Sequence, residues 1–335
     1  MTVVVTGAAG HLGGNLVRAL LARGARVRAL DYTRDWRALD GLEVERVQAD
    51  VRDLDALRRA FAGADIVYHA AAVISLRSDD WPLLEAVNVI GTRNVVQACL
   101  DCGVRRLVHF SSIHALRQEP YGVPVDESSP LALSPSSPPY DRSKAAGEWE
   151  VRLGIGRGLD AVILNPTGMI GPHDYVPSHF GQVLLALGEG RMPALVASGF
   201  DWVDVRDVVS AALKAAEVAP PGARYLLSGH WVSMRDLAIL VEEITGADPP
   251  WFVCPLWLAR AGASLADALA RRRQGRALFT GVSIRALRSN RHISHERAAR
   301  ELGYRPRPIR QTLADLYRWF EQAGRLKLAR AEGQG

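Results

Sequence analysis

Cysteine and lysine are both scarce in this chain of 335 residues, with three of each. Three cysteines cannot form a disulfide framework, which favours a reducing, cytoplasmic setting. Cys99 and Cys102 form a CxxC pair, but no second pair follows. Because a zinc site needs about four ligands, we predict no metal. The chain opens directly into the strand-like residues 3–5, so we expect no signal peptide.

Long hydrophobic runs and a dominant charge are also missing. No window reaches the ~18 uncharged apolar residues of a membrane span, since the run 251–259 stops at Arg260. Residues 251–273 can still form an amphipathic helix, which keeps peripheral membrane association as an alternative. The 41 basic and 36 acidic residues leave a net charge of +5. Because the basic residues are scattered, we predict no nucleic-acid partner.

Short apolar runs alternate with amphipathic stretches through the first half of the chain. Residues 3–5, 26–30, 66–68, 107–110 and 160–164 read as buried strands. Helical spacing of apolar residues covers 12–21, 54–61 and 83–99. Strands separated by helices are typical of an α/β protein with a Rossmann-type, doubly wound parallel sheet.

Proline and glycine divide the chain further. Six prolines fall within residues 120–139, which predicts a long loop with a functional or mobile character. Beyond Pro172 the regular alternation is lost. We therefore expect a cofactor-binding domain over residues 1–171, to which 201–227 return. Residues 172–200 and 228–330 should form a smaller substrate cap.

A glycine-rich turn follows the first predicted strand and precedes the first predicted helix. Gly7, Gly10 and Gly13 give the spacing GxxGxxG. Small residues let the backbone approach a pyrophosphate, and the helix N-terminus offers free N–H groups to it. A tight turn without a ligand is the alternative interpretation. The position between strand and helix favours a dinucleotide.

Asp31 ends the second predicted strand, 21 residues after Gly10. A carboxylate at that spacing accepts hydrogen bonds from the adenosine ribose and repels a 2′-phosphate. NAD is therefore predicted as the cofactor, while nearby Arg34 keeps NADP as an alternative. The ends of the third and fourth predicted strands supply further candidates for the cofactor crevice: Asp50, Val51, Ala70, Ala71 and Ala72.

Tyr140 and Lys144 lie one helical turn apart at the start of a predicted helix, so they share one face. A nearby ammonium and an oxidised nicotinamide ring would favour the phenolate, which makes Tyr140 a candidate acid and base. Ser111 and Ser112 end the strand 107–110, and a hydroxyl there can hold a substrate oxygen beside Tyr140. An ordinary helix start and a capping serine are the alternatives.

Together these motifs resemble an extended short-chain dehydrogenase/reductase of the NAD-dependent epimerase/dehydratase family. Within the family, the chain resembles the branch that contains dihydroflavonol reductases, 3β-hydroxysteroid dehydrogenases and sugar epimerases linked to hopanoid genes. The resemblance rests on TGxxGxxG, Asp31, DV at 50–51, HAAA at 69–72, NVIGT at 88–92, the serine pair and YxxxK. It extends to the Asn165-Pro166-Thr167-Gly168 segment and covers residues 1 to about 322.

The resemblance implies roles for individual residues. Tyr140 would be the acid/base, Lys144 would lower its pKa and hold the nicotinamide ribose, and Ser112 would be the catalytic serine. Ser111 would line the nicotinamide side, and Asn88 would support the lysine. The remaining cofactor contacts would come from His11, Leu12, Pro166, Thr167 and Met169. The family also implies a homodimer formed through helices near 83–99 and 140–154.

The reaction and substrate follow less directly. An alcohol and a ketone or aldehyde would be interconverted by hydride transfer. Residues 161–165 contain no arginine, and the predicted cap offers Trp251, Phe252, Leu256, Trp257 and Leu258, which suits an apolar, steroid-, flavonoid- or terpenoid-like substrate. An alternative interpretation places these aromatics in the core of the cap. A nucleotide-sugar epimerase or dehydratase with tightly bound NAD is the alternative function. The candidate substrate contacts are Asn165, His173, Trp251 and Trp257.

Overall fold

The computed structural model describes residues 1–75, 77, 79–258 and 290–326. The strands are β1 (Thr2–Thr6), β2 (Arg26–Asp31), β3 (Glu45–Gln48), β4 (Ile66–His69), β5 (Arg106–Phe110), β6 (Ala161–Pro166), β7 (Gly168–Ile170), β8 (Leu195–Val196), β9 (Gly199–Asp204), β10 (Arg224–Leu227), β11 (His230–Ser233) and β12 (Val253–Cys254). The helices are α1 (His11–Ala22), α2 (Leu54–Phe61), α3 (Trp81–Leu84), α4 (Thr92–Asp101), α5 (Pro139–Gly156), α6 (His179–Gly188), α7 (Val205–Val218), α8 (Met234–Thr245), α9 (Glu296–Leu302) and α10 (Ile309–Gln322).

Seven strands form one parallel sheet in the order β10-β6-β5-β4-β1-β2-β3. The predicted Rossmann-type sheet is thereby confirmed. The chain order reverses between β1 and β4, and parallel sheets bind ligands in the crevice at the carboxyl ends of such strands. The glycine-rich turn after β1 and the alanines after β4 both lie at this edge.

Two hydrophobic layers cover the sheet because its strands alternate apolar side chains between the faces. On one face, Leu16 of α1 and Val208 of α7 pack against Val5. On the other face, Leu57 of α2 and Val95 of α4 pack against Val67. Both faces are therefore buried, as a parallel sheet requires.

A separate hydrophobic core joins α6, α8 and α10. Leu184, Leu237, Leu313 and Phe320 are buried there, together with Trp202 of β9. Two small sheets flank this core, one in the order β11-β9-β7 and one pairing β12 with β8. No helix among the described residues is long and apolar enough to cross a membrane.

The helix predicted over 83–99 is not continuous. Residues Glu85–Gly91 form a π-helical segment between α3 and α4. Val51 lies directly against this segment, since a Cβ on Gly91 would fall 2.6 Å from Val51 Cγ2. Such segments often occur at functional sites, and this one carries Asn88.

Candidate active site

The glycine-rich turn is packed closely enough that side chains would not fit. Gly7 has a positive φ of 69°, and a Cβ there would lie 2.7 Å from the backbone nitrogen of Ala71. A Cβ on Gly13 would lie 2.0 Å from the carbonyl oxygen of Gly7. Among the described residues, no side chain caps the N-terminus of α1 at Gly10. The free N–H groups and the helix dipole at this end suit a pyrophosphate.

Asp31, the predicted ribose-binding residue, supports this turn. Its Oδ2 accepts a hydrogen bond from the Ala9 backbone at 3.0 Å, and its Oδ1 accepts one from Thr33 at 3.1 Å. Burial raises the pKa of Asp31, and these backbone N–H groups partly offset that effect.

Asp50 pairs with Arg52 at 2.6 Å. That hydrogen bond holds the pKa of the Asp50 carboxyl below its ordinary value.

Tyr140 and Lys144 lie in the first two turns of α5, where they face the end of β5. Lys144 Nζ donates a hydrogen bond to the carbonyl oxygen of Phe110 at 3.0 Å. Burial lowers the pKa of Lys144 to about 8, although the nearby Glu148 charge acts in the opposite direction. Burial also raises the pKa of Tyr140, which a hydrogen bond with Ser112 only partly offsets. The structure thus brings Ser112, Tyr140 and Lys144 together.

His114 is a neighbour of this trio that the sequence reasoning did not assign to the site. Its backbone N–H donates to Ser112 Oγ at 3.2 Å, and its ring packs edge-on against Tyr140. Its Nδ1 lies 3.2 Å from Oδ1 of Asp141. Burial alone would lower the pKa of His114, but the Asp141 carboxylate outweighs it and raises that pKa. No periodicity or spacing in the sequence indicates this contact.

Asn88 connects the π-helical segment to α5. Its Nδ2 donates to Ser143 Oγ at 2.9 Å, next to Lys144, and to the carbonyl oxygen of Val73. Gly147 allows this close approach, because a Cβ there would lie 2.3 Å from the Asn88 carbonyl oxygen. Asn88 therefore holds the helix segment that carries the lysine.

Ser111 points into the protein. Its Oγ donates to Glu148 Oε2 at 2.8 Å. Asn165 is buried as well, and its Nδ2 donates to Ser112 O and to Glu148 Oε2, both at 2.9 Å. Glu148 was missed by the sequence reasoning. The available signal was its place one helical turn after Lys144, on the same face as Tyr140.

The segment after β6 continues along the same edge of the sheet. Pro166 ends β6, and Thr167 Oγ1 donates to Asp201 Oδ1 at 2.7 Å. Met169 belongs to β7 and packs against the sheet core. His11 Nε2 lies 3.1 Å from the carbonyl oxygen of Pro172, which ties the glycine-rich turn to the beginning of the predicted cap.

The candidate substrate residues lie in different surroundings. His173 has a positive φ of 65°, a conformation uncommon for a residue other than glycine, and its ring stacks on Tyr175. Trp251 is 89% exposed and Trp257 is 70% exposed. These two tryptophans are therefore not part of the buried core formed by α6, α8 and α10. Residues 259–273 of the predicted amphipathic stretch lie outside the described residues.

The fold and the site define a dinucleotide-binding α/β protein, and the comparisons with known proteins identify its family. A sequence profile of the NAD dependent epimerase/dehydratase family matches residues 3–227. The chain belongs to this family, which confirms the resemblance to extended short-chain dehydrogenases/reductases. The prediction of NAD as the cofactor is confirmed with it.

Several known proteins are similar over their whole length. The chain is 42% identical over 327 residues to "Sterol demethylase protein B" of Methylococcus capsulatus, covering 97% of this chain and 99% of that protein. It is 32% identical over 338 residues to the 4-hydroxy-2-methyl-3-oxo-4-farnesyl-3,4-dihydroquinoline-1-oxide ketoreductase of Stigmatella aurantiaca, covering 97% and 98%. The UDP-glucose 4-epimerase of Thermus thermophilus, solved with NAD, matches with a TM-score of 0.77 and 26% identity over 96% of this chain and all of that one.

Proposed function

We propose that this protein is an NAD-dependent oxidoreductase that interconverts an alcohol and the corresponding ketone or aldehyde on an apolar substrate. The observation that carries the proposal is the cluster of Ser112, Tyr140 and Lys144 at the carboxyl edge of the sheet. This cluster lies at the same edge as the glycine-rich turn, where the strand order reverses.

The residues at this edge fit a dinucleotide. Gly7 and Gly13 allow the close packing of the turn, and the uncapped start of α1 supplies N–H groups for a pyrophosphate. Asp31 would bind the adenosine ribose, and Lys144 would bind the nicotinamide ribose. Bound NAD would accept or donate the hydride, while the protein orients the substrate and moves the proton.

The proton would move at the Tyr140 hydroxyl. Because burial raises the pKa of Tyr140, its phenol is protonated at neutral pH and can donate to a carbonyl oxygen. Ser112 would hold that same oxygen. In the direction of alcohol oxidation, the positive charge of Lys144 would stabilise the phenolate.

Two features support an apolar substrate. Relatives along the whole chain are named "Sterol demethylase protein B" and a ketoreductase of a farnesylated quinoline. Strand β6 contains no arginine, whereas a sugar diphosphate would require charge-assisted partners.

The test is a substrate screen that follows NADH absorbance. We expect the purified protein to oxidise NADH in the presence of apolar cyclic or terpenoid ketones. The Tyr140→Phe variant should show only the rate of NADH loss measured without enzyme. UDP-glucose serves as the comparison substrate. Conversion of UDP-glucose without net change in NADH, and no turnover of apolar ketones, would contradict the proposal and favour the epimerase.

We also propose the domain division and the dimer indicated by the sequence. Residues 1–171 with 201–227 would bind the cofactor, which is supported by the place of β10 in the main sheet. Residues 172–200 and 228–330 would form the cap.

The dimer would be built from α4, α5 and the π-helical segment, since Ile90, Trp149 and Leu153 are each 41–48% exposed there.

Charges on this helical surface should separate the dimer. We expect Trp149→Glu with Leu153→Glu to convert a particle of twice the 36.5 kDa chain mass into a monomer, because a buried unpaired carboxylate is costly. Light scattering after gel filtration measures the mass. Val218→Glu, on the exposed surface of α7, is the matched control and should leave the dimer intact. A wild-type monomer would contradict the proposal.

A further inference from the structure

Glu148 is a carboxylate with no exposed surface, on the helix that carries Tyr140 and Lys144. The three residues follow one another at intervals of four on α5, so they share one face. Its Oε2 accepts hydrogen bonds from Ser111 Oγ and Asn165 Nδ2. Buried carboxylates are expensive to desolvate, so such a group needs several partners.

The other oxygen of Glu148 faces two arginines. Arg224 of β10, itself buried, donates to Oε1 at 2.6 Å. Arg152, one turn further along α5, lies 3.3 Å from the same oxygen. Glu148 therefore joins the active-site helix to the edge strand of the main sheet.

The same network reaches three consecutive residues at the end of β5. Phe110 accepts from Lys144 through its carbonyl oxygen, Ser111 donates its hydroxyl to Glu148, and Ser112 accepts from Asn165 through its carbonyl oxygen. Loss of the Glu148 carboxylate would release one of these attachments directly, that of Ser111, and would remove the second partner of Asn165. Ser112, which Asn165 holds, would then be positioned less firmly relative to Tyr140.

Within the described part of the chain, Glu148 is the negatively charged group that acts on Lys144 and is therefore its counter-ion. The neighbouring strands present His69 from β4 and His109 from β5, whose ring centroids lie 5.3 Å apart in a tilted arrangement. Burial lowers the pKa of His69 to about 3 and that of His109 well below its ordinary value, so both are neutral. Glu148 supplies the negative charge that favours protonated Lys144 against burial.

We propose that Glu148 is a positioning residue for Ser112 and Lys144, which fixes the end of β5 and acts as the buried counter-ion of the lysine. This inference rests on the proposed function, because it concerns the same proton-transfer site. Arg224 pairs with Glu148 and so weakens the attraction between the Glu148 carboxylate and the Lys144 ammonium.

The scarcity of lysine makes a direct test possible. When only lysine is labelled with ¹³C and ¹⁵N, three side chains carry the label: Lys144, Lys214 and Lys327. Each titration can therefore be followed by NMR without substrate, and exposed Lys214 is an internal reference. We expect Glu148→Gln to move the Lys144 titration to lower pH by about one pH unit, because an opposite charge is removed.

Glu150→Gln is the matched control, since it makes the same change two residues along the same helix. Glu150 pairs with Arg93 at 2.8 Å, on a different face of α5 from Lys144. We expect this variant to leave the Lys144 titration in place. An unchanged Lys144 titration in folded Glu148→Gln would overturn the proposal.

A second variant covers the case in which Glu148→Gln does not fold. Arg224→Gln removes a cation from Glu148 and should move the Lys144 titration to higher pH. A purely structural role predicts no such opposite shifts, so a downward shift or no shift in folded Arg224→Gln would contradict the proposal. The titration needs no turnover, so failure of the substrate screen leaves it interpretable. Once a substrate is found, the alkaline limb of the kcat/KM profile should move with the Lys144 titration.

Discussion

Tyr140→Phe is expected to lower kcat on the order of a thousandfold, while the Kd for NAD changes little. Positioned acid–base groups contribute roughly 10²- to 10⁴-fold to a rate. The substitution removes only the hydroxyl that hydrogen-bonds with Ser112 and leaves the ring packed against His114. Steady-state kinetics on the substrate found in the screen and a fluorescence titration with NAD measure the two quantities.

Tyr317→Phe provides a control with the opposite signature. The Tyr317 hydroxyl lies in the core formed by α6, α8 and α10 and donates to the carbonyl oxygen of Leu184 at 2.6 Å. Its loss should lower the free energy of unfolding by about 1 kcal/mol and leave kcat unchanged. Retained turnover in Tyr140→Phe would refute the assignment of the acid/base.

Gly13→Ala is expected to abolish tight NAD binding. The new Cβ would lie 2.0 Å from the Gly7 carbonyl oxygen and 2.7 Å from the Ala8 Cα, so the turn has to move. We expect the Kd for NAD to rise on the order of a hundredfold, equivalent to about 2.7 kcal/mol. The free energy of unfolding should fall by roughly 3 kcal/mol, which is the upper part of the range for overpacking.

The adjacent Gly14→Ala separates this steric effect from a general effect of alanine in α1. A Cβ on Gly14 would meet Ala38 Cβ and Arg18 Nη1 at 3.5 Å, which is ordinary contact. Because glycine is unfavourable within a helix, we expect this variant to be more stable by about 0.5–1 kcal/mol. Fluorescence titration and denaturant unfolding compare the variants. Wild-type NAD affinity in Gly13→Ala would show that the turn does not carry the cofactor.

Most elements of the main sheet could be predicted because they depend on local patterns. Short runs of three to five residues with apolar content predicted the strands, and their alternation with helices predicted a parallel sheet with the first turn at its binding edge. The proline-rich segment is a loop until α5 begins at Pro139. The break at Glu85–Gly91 could not be predicted, because it is set by packing against Val51 and α5 rather than by helix propensity.

In the candidate site, too, some features follow from local patterns in the sequence and others depend on tertiary contacts. Spacing alone placed Tyr140 and Lys144 on one helical face and the glycines at one turn. The direction of a side chain at a strand end depends on its partners in space, and so does the exposure of Trp251 and Trp257. For these reasons the sequence did not indicate that Ser111 turns inward to a carboxylate.

The sequence by itself determined the α/β class, the glycine-rich turn, the acid at the end of β2 and the pairing of Tyr140 with Lys144. Each depends on chain neighbours within one turn, one strand or one strand–helix unit. Only the tertiary structure decided that Arg224 pairs with Glu148 and that His11 meets Pro172, across 76 and 161 residues. Pairings at such separations follow from strand order and register, which bring distant charges together and which no local pattern encodes.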